Sequence, residues 1–426
     1  MTTLAEDRYA GLVIIGAGGA GLTAALAALE SGVKFTFSDS AKTEPSDGKV
    51  ITTISARLLR NGLRYRYLRL AGKPGKPQAI SLEVTHACVA KCVMCNIWKI
   101  PRSVPDLPLE DWTTLLSSDL LSDLRELDIT GGEPFLRDDL VPLLRTVCEL
   151  KRTRLKRLES VAITTNGILT DRVVSVVGKV LEPMAQSGLE LVVVCALDAV
   201  SDLHDQIRRY EGAWAAVNKT IAGLLELRDD HPNLILGLKT TVLPLNVGEL
   251  QAIADYAQDR DLFTITSPAI VTPGRYLNAD KATSLTLGAG QRAQLAEFYK
   301  RAGFRWSHHA KALVRYLETG KMNKPCSCGF NYFFVRSNGD VFLCPLFEER
   351  VGNIGSSSIV ELFASKEARN VRRRVGKAPE CSRCTEPGLE RYSLPYEGFA
   401  YLRTLLRMGP RSFLSAHRYL GLDKYV

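Results

Sequence analysis

From residue 78 onward the chain alternates short apolar runs with segments of helical periodicity. The apolar runs are Ala79 to Thr85, Glu126 to Thr130, Ser160 to Thr165, Leu189 to Leu197, Leu234 to Val242 and Phe263 to Ala269. Between them, stretches such as Leu140 to Leu150 and Val247 to Ala257 repeat apolar residues every three or four positions, the period of a helix with one buried face. Short buried strands separated by helices pair in parallel through right-handed crossovers. The pattern therefore predicts an α/β fold in which six such units form a partial (β/α)6 TIM-type barrel over residues 78–310.

Two regions break this rhythm. At the N-terminus, apolar Leu12 to Ile15, the run Gly16-Ala17-Gly18-Gly19-Ala20-Gly21, an Ala/Leu helix to about Leu29, and Val33 to Phe37 with Asp39 match the G-x-G-x-x-G pattern of a βαβ unit. The unit ends by about residue 60, too short to bury a flavin or nicotinamide, so a structural or partner-docking role is expected within a module of residues 1–72. It resembles the small Rossmann-like modules attached to some sugar-modifying enzymes. Lys73-Pro74-Gly75-Lys76-Pro77 then reads as a linker. After residue 320 the alternation stops again, and a cysteine-rich region (320–390) and a basic, aromatic tail (391–426) follow.

In barrels the strand ends and the loops after them carry the chemistry. Cys88, Cys92 and Cys95, spaced C-x3-C-x2-C, follow the first strand; Gly131-Gly132-Glu133-Pro134 follows the second; Thr164-Thr165-Asn166-Gly167 the third; Asp198 the fourth. A zinc knuckle normally takes four protein ligands. The next cysteine, Cys148, lies inside a helical stretch and supplies no nearby fourth. Three thiolates on a cubic [4Fe-4S] cluster leave one iron open.

These motifs resemble those of radical S-adenosylmethionine (radical SAM) enzymes over roughly residues 78 to 310. The resemblance implies that Cys88, Cys92 and Cys95 hold a [4Fe-4S] cluster whose fourth iron is chelated by S-adenosyl-L-methionine. It also implies that Gly131, Gly132, Glu133 and Pro134 contact the methionine amino group, with Asn166 or Thr164 facing the ribose and methionyl part. Asp198 is likewise expected on the cofactor and is followed by His204-Asp205-Gln206-Ile207-Arg208, similar to a stretch of the subfamily with auxiliary clusters, in which the arginine pairs with the cofactor carboxylate; a surface ion pair is the plain alternative for Arg208. His204 is expected to cap or pack locally. Met94 stands where the family often has an aromatic residue, and its thioether can pack on adenine. Trp98 either stacks nearby or is an ordinary buried tryptophan.

Further on, Cys326-Ser327-Cys328-Gly329, an apolar run Tyr332 to Val335, the turn Asn338-Gly339-Asp340, Cys344 and Cys381-x2-Cys384 resemble the shortened form of the SPASM extension, called twitch. The resemblance implies that Cys326, Cys344, Cys381 and Cys384 bind a second, auxiliary [4Fe-4S] cluster, with Cys328 an alternate ligand or spare thiol. A zinc site with four thiolates is the competing reading. Cys148 and Cys195 fall in apolar periodic segments and read as core.

Composition sets outer limits. The chain has 426 residues, 10 cysteines and a formal charge of +9. No apolar run reaches the roughly 18 residues of a membrane span, and Glu6, Asp7 and Arg8 stand where a signal peptide would be apolar, so a cytoplasmic protein is expected. Arg57, Arg60, Arg64, Arg66, Arg69, Lys73 and Lys76 form an acid-free stretch interleaved with Leu and Tyr, and Arg403, Arg407, Arg411 and Arg418 recur in the tail. Solvated helix faces explain this plainly; the sharper reading is weak attraction to a membrane surface or a lipid-linked or phosphorylated substrate. No nucleic-acid module accompanies the charge. The leading expectation is an oxidoreductase-type radical SAM enzyme, served by an electron donor such as flavodoxin or ferredoxin, that forms a 5′-deoxyadenosyl radical and dehydrogenates a sugar or alcohol carbon. Peptide epimerisation or crosslinking, a non-catalytic metal-binding scaffold, and a flavin or nicotinamide oxidoreductase are the alternatives.

Overall fold

Six parallel strands form where the apolar runs place them: β1 (Ala79–Thr85), β2 (Glu126–Gly131), β3 (Ser160–Thr165), β4 (Glu190–Ala196), β5 (Leu234–Val242) and β6 (Phe263–Pro268). Each pairs in parallel with the next. They belong to a computed structural model that describes residues 47–301, 304, 307–419 and 421–425. The glycine-rich unit expected before residue 47 lies outside the described residues. Burial is complete along β1, because helices cover one face and the barrel lumen lies on the other. The helix Thr170–Gln186 shows how the outer layer is held: Val173, Val177, Val180, Leu181 and Met184 fall on one face and are buried. Each such side chain contributes about 1.5–3 kcal/mol.

The sheet continues beyond the six strands. The cysteine-rich region supplies β7 (Tyr332–Val335), β8 (Asp340–Phe342) and β9 (Gly352–Asn353). β7 pairs in parallel with β1, Ala79 opposite Tyr332 and Leu82 opposite Val335, giving the order β6-β5-β4-β3-β2-β1-β7-β8-β9. All four residues of β7 are buried. The free edge that β1 would otherwise present is thereby paired.

The basic stretch before the barrel is a 25-residue helix, Asp47–Ala71. Ile54, Leu58, Tyr65 and Leu68 form its buried face. Gly62 is needed there, because a Cβ would enter the Phe399 ring of the tail helix Phe399–Met408. Among the described residues no helix is long and apolar enough to cross a membrane.

The tail returns to the N-terminal end of the barrel and floors its lumen. Glu126, Ser160 and Glu190 each open a strand. Tyr425 Oη donates to Glu126 at 2.6 Å, while Lys424 Nζ donates to Glu190 at 2.8 Å and to Ser160 at 3.3 Å. Burial opposes charge on Glu126, but Arg391, Lys424 and the Tyr425 hydroxyl outweigh it and hold the carboxyl below its usual range. Tyr425→Phe should therefore reduce unfolding stability by about 1.5–3 kcal/mol near neutral pH, the size of a hydrogen bond to a charged group. A depressed carboxyl pKa gives stability that is lost as pH falls through the folded value. In urea titrations the gap between wild type and variant should thus narrow below the ordinary glutamate range.

Candidate active site and a second thiol chamber

The loop after β1 carries Cys88, Cys92 and Cys95 and is pressed against the end of β2. Gly132 N donates to the Thr85 carbonyl and Glu133 N to the Ala87 carbonyl, both at 2.8 Å. At this approach a Cβ on Gly131 would strike the Thr85 carbonyl oxygen, and one on Gly132 the Ala87 oxygen. Gly131 also has φ +153, which disfavours a side chain. The glycine pair is therefore a steric requirement for seating the cysteine loop.

Two carboxylates that the sequence placed on the cofactor lie beneath the site. Glu133 is fully buried; its carboxylate accepts from Phe135 N, Thr165 Oγ1 and Asn166 N, at 3.2, 2.9 and 2.8 Å. Burial raises its pKa to about 7, against these donors. It ties the ends of β2 and β3 together. Pro134 opens the 3-10 turn Pro134–Leu136 and is likewise buried. Asp198, also fully buried, accepts from Thr241 N at 2.9 Å and holds Arg208 in an ion pair at 2.7 Å. Neither Glu133 nor Asp198 lines the cavity beside the cysteines. A strand-end motif locates such residues but not their direction, which hydrogen bonding decides.

Arg208 does reach that cavity. Its Nη1 lies 3.7 Å from Cys92 Sγ, and its Nε has no partner among the described residues. His204 Nδ1 accepts from Asp198 N at 3.1 Å, a local cap, and burial depresses its pKa to about 3. Asn166 Nδ2 lies 3.8 Å from Cys88 Sγ. Burial pushes the Cys88 and Cys95 thiols up to about 12, so they resist ionisation unless a cation joins them. Cys88, Cys92, Cys95, Met94, Trp98, Gly131, Gly132, Thr164, Asn166 and Arg208 border one cavity. Three soft thiols, a guanidinium with an unused donor and a glycine floor fit a thiolate-held cluster with an anionic ligand beside it.

That cavity continues into the barrel. Thr130, Thr164, Lys239, Glu386 and Pro387 border both it and the lumen, a space of about 650 Å³. Ser81 Oγ donates to Asp128 at 2.7 Å, and Tyr332 Oη donates to Ser81 at 3.0 Å. Arg275 faces Glu386 at 3.7 Å. Lys239 makes no ion pair among the described residues.

The second group of thiols contains the five cysteines that the sequence named. Cys328, read as an alternate or spare, is fully buried, and burial together with the neighbouring Cys326 and Cys344 thiols raises its pKa. The neighbouring Cys328 thiol, with Lys324 and Arg69 nearby, holds Cys326 below the usual thiol range against its burial. Cys381 and Cys384 lie close enough to Cys326 and Cys344 to feel their charge, and Gly376 N donates to Cys381 Sγ at 3.2 Å. Five cysteines thus surround one region. Among the described residues no three metal-binding side chains converge as a single ion requires; a cubic cluster, whose irons stand apart, asks instead for thiols spaced around a volume. Cys148 and Cys195 are buried and border neither cavity, as expected of core thiols.

A partial barrel with a three-thiol loop at its C-terminal strand ends and a second thiol group on its edge defines an iron–sulfur class of protein. Residues 82–257 match the Radical SAM superfamily, and residues 326–385 match SPASM, an iron-sulfur cluster-binding domain. The chain thus carries a radical SAM domain and a SPASM domain, which imply S-adenosylmethionine and [4Fe-4S] clusters as cofactors. It is 26% identical over 295 residues to the antilisterial bacteriocin subtilosin biosynthesis protein AlbA of Bacillus subtilis, covering 68% of this chain and 60% of AlbA. A GTP 3′,8-cyclase of Pelotomaculum thermopropionicum is 27% identical over 47% of this chain and 60% of that enzyme. The chain thus spans about 60% of the length of these curated relatives. Streptococcus suis SuiB, in its complex with the precursor peptide SuiA, has a TM-score of 0.52 at 16% identity, covering 91% of this chain and 85% of that one.

Gly132→Ala should leave helix and strand content intact by circular dichroism yet abolish iron uptake at the first site, since the added methyl group displaces the Ala87 carbonyl. Replacing Cys344 and Cys384 together by Ala should lower reconstituted iron from about eight to about four per chain. Zinc at the second site, with iron unchanged by the substitutions, would contradict this.

Proposed function

We propose that the protein removes a hydrogen atom from a carbon of a peptide held in the barrel lumen, with net oxidation of that peptide. The observation that carries this reading is the shared wall: Thr130, Thr164, Lys239, Glu386 and Pro387 border both the cysteine-loop cavity and the lumen. Cys88, Cys92 and Cys95 would hold the first cluster. Gly131, Gly132, Thr164, Asn166, Met94 and Arg208 would hold S-adenosylmethionine, with the guanidinium directed at its carboxylate. Bound there, the two clusters and S-adenosylmethionine supply reductive carbon–sulfur cleavage, hydrogen abstraction from an unactivated carbon and an acceptor for the substrate's electron. Asp198 and Glu133 act as positioning residues, fixing Arg208 and the β2–β3 ends from below. Lys239 and Glu386 would orient the substrate where the cavities meet, and apolar Val192, Val194 and Ile235 line the lumen beyond them. Glu386 follows Cys384 by two residues, so the second thiol group adjoins the same wall.

A peptide is preferred to the sugar or alcohol expected from sequence because a bacteriocin biosynthesis protein and a fold neighbour bound to a precursor peptide each cover more than two thirds of this chain. The GTP cyclase supports a small-molecule substrate instead. Size-fractionated host extract separates the two: with reconstituted protein and dithionite, 5′-deoxyadenosine formation should rise above background with the peptide fraction. A rise only with the small-molecule fraction would overturn the peptide assignment. Lys239→Met should leave substrate-free cleavage of S-adenosylmethionine unchanged while reducing the stimulated rate by about tenfold or more, the loss of one charge-assisted contact.

A further inference from the structure

The helix Asp47–Ala71 has two apolar faces, and the described residues cover only one. Ile54, Leu58, Tyr65 and Leu68 pack inward. Leu59, Leu63, Tyr67 and Leu70 recur at four, four and three residues, which places them on the opposite side. Their exposures are 48%, 60%, 61% and 90%. Eight large hydrophobic side chains are exposed among the described residues, and these four make half of them. A fifth, Leu406 at 78%, stands on the tail helix Phe399–Met408 that packs against this one. Isolated exposed leucines need no explanation, but a stripe does.

Charge identifies what the stripe fits. No acidic residue occurs between Asp47 and Glu83. Arg57, Arg60 and Arg64 are exposed along one flank of the stripe and form no ion pair among the described residues. Arg66 on the other flank is held by Glu397 at 2.8 Å and lies 4.0 Å over the Phe399 ring. Arg403 and Arg407 add exposed positive charge on the adjoining helix. None of the cavities described above includes a residue of this helix. The outward face is a ridge rather than a groove. A ridge of leucines and a tyrosine, bordered by unpaired arginines, suits a deformable anionic plane better than a shaped protein pocket.

We propose that this helix docks the enzyme reversibly on an anionic lipid bilayer, with Leu59, Leu63, Tyr67 and Leu70 entering the headgroup boundary and Arg57, Arg60 and Arg64 contacting lipid phosphates. The contact is peripheral, since the opposite face of the helix remains packed on the protein.

Co-sedimentation of the full-length reconstituted protein with vesicles tests it. Binding to equimolar phosphatidylglycerol and phosphatidylcholine should exceed binding to phosphatidylcholine alone by at least about tenfold, each arginine near an anionic surface being worth roughly fivefold. It should weaken at about 0.5 M salt. Leu63→Glu with Leu70→Glu should abolish it, and Arg60→Ala with Arg64→Ala should remove the preference for the anionic lipid. All four positions are exposed, so both variants should keep their iron content and their substrate-free cleavage of S-adenosylmethionine. Failure of the wild type to bind anionic vesicles, or undiminished binding by Leu63→Glu/Leu70→Glu, would overturn the proposal. So would a dimer in solution that this variant converts to monomer while vesicle binding is absent, which would give the face to a second copy of the chain.

Discussion

β1 is hydrogen-bonded along both edges, and the positions of both thiol groups follow from that. On one side it pairs with β2, whose glycine end supports the loop bearing Cys88, Cys92 and Cys95. On the other it pairs with β7, which stands between Cys328 and Cys344 in sequence. A single buried strand therefore sets the spacing between the two groups, and neither can shift without breaking a ladder. The lumen wall inherits this rigidity. Tyr332, which opens β7, reaches across to Ser81 on β1 and so joins the second region to the chamber floor.

The electrostatics are organised in depth. Carboxylates that would be costly inside a barrel are each matched to donors: Glu133 to two backbone amides and a hydroxyl, Asp198 to an amide and a guanidinium, Glu126 to a phenol and an arginine. Removing a partner from such a group is more damaging than never having had it. The consequence for Arg208 is orientation: with Nη2 fixed on Asp198, the guanidinium has one way to face the cavity.

Much of the barrel was legible in the sequence because parallel strands buried on both faces read as continuous apolar runs, and all six fell within about a residue of expectation. The three cysteines, the glycine pair, Thr164, Asn166 and Arg208 also came together at one cavity, since all stand at or beyond the C-terminal ends of parallel strands. What could not be read depended on contacts distant in sequence. The pairing of β7 with β1 joins residues about 250 positions apart, and no local pattern signals it. The inward direction of Glu133 and Asp198 depends on Asn166, Thr165 and Thr241, which belong to neighbouring strands and loops. Spacing kept Cys328 as an alternate ligand or spare thiol, and its full burial beside Cys326 and Cys344 depends on the fold. The Asp47–Ala71 helix was blurred for a different reason: apolar residues on opposite sides cancel the one-sided rhythm by which an amphipathic helix is recognised.

The long reach of the β1–β7 pair has a consequence for biogenesis. Synthesis runs from the N-terminus, so β1 leaves the ribosome some 250 residues ahead of the strand that will cover its edge. During that interval the six-stranded half-barrel, however well formed, exposes a line of unpaired amides and carbonyls to its surroundings. Metal delivery to the first thiol loop and shielding of that nascent border then compete for the same stretch of time, which makes the speed of translation through residue 335 a determinant of yield.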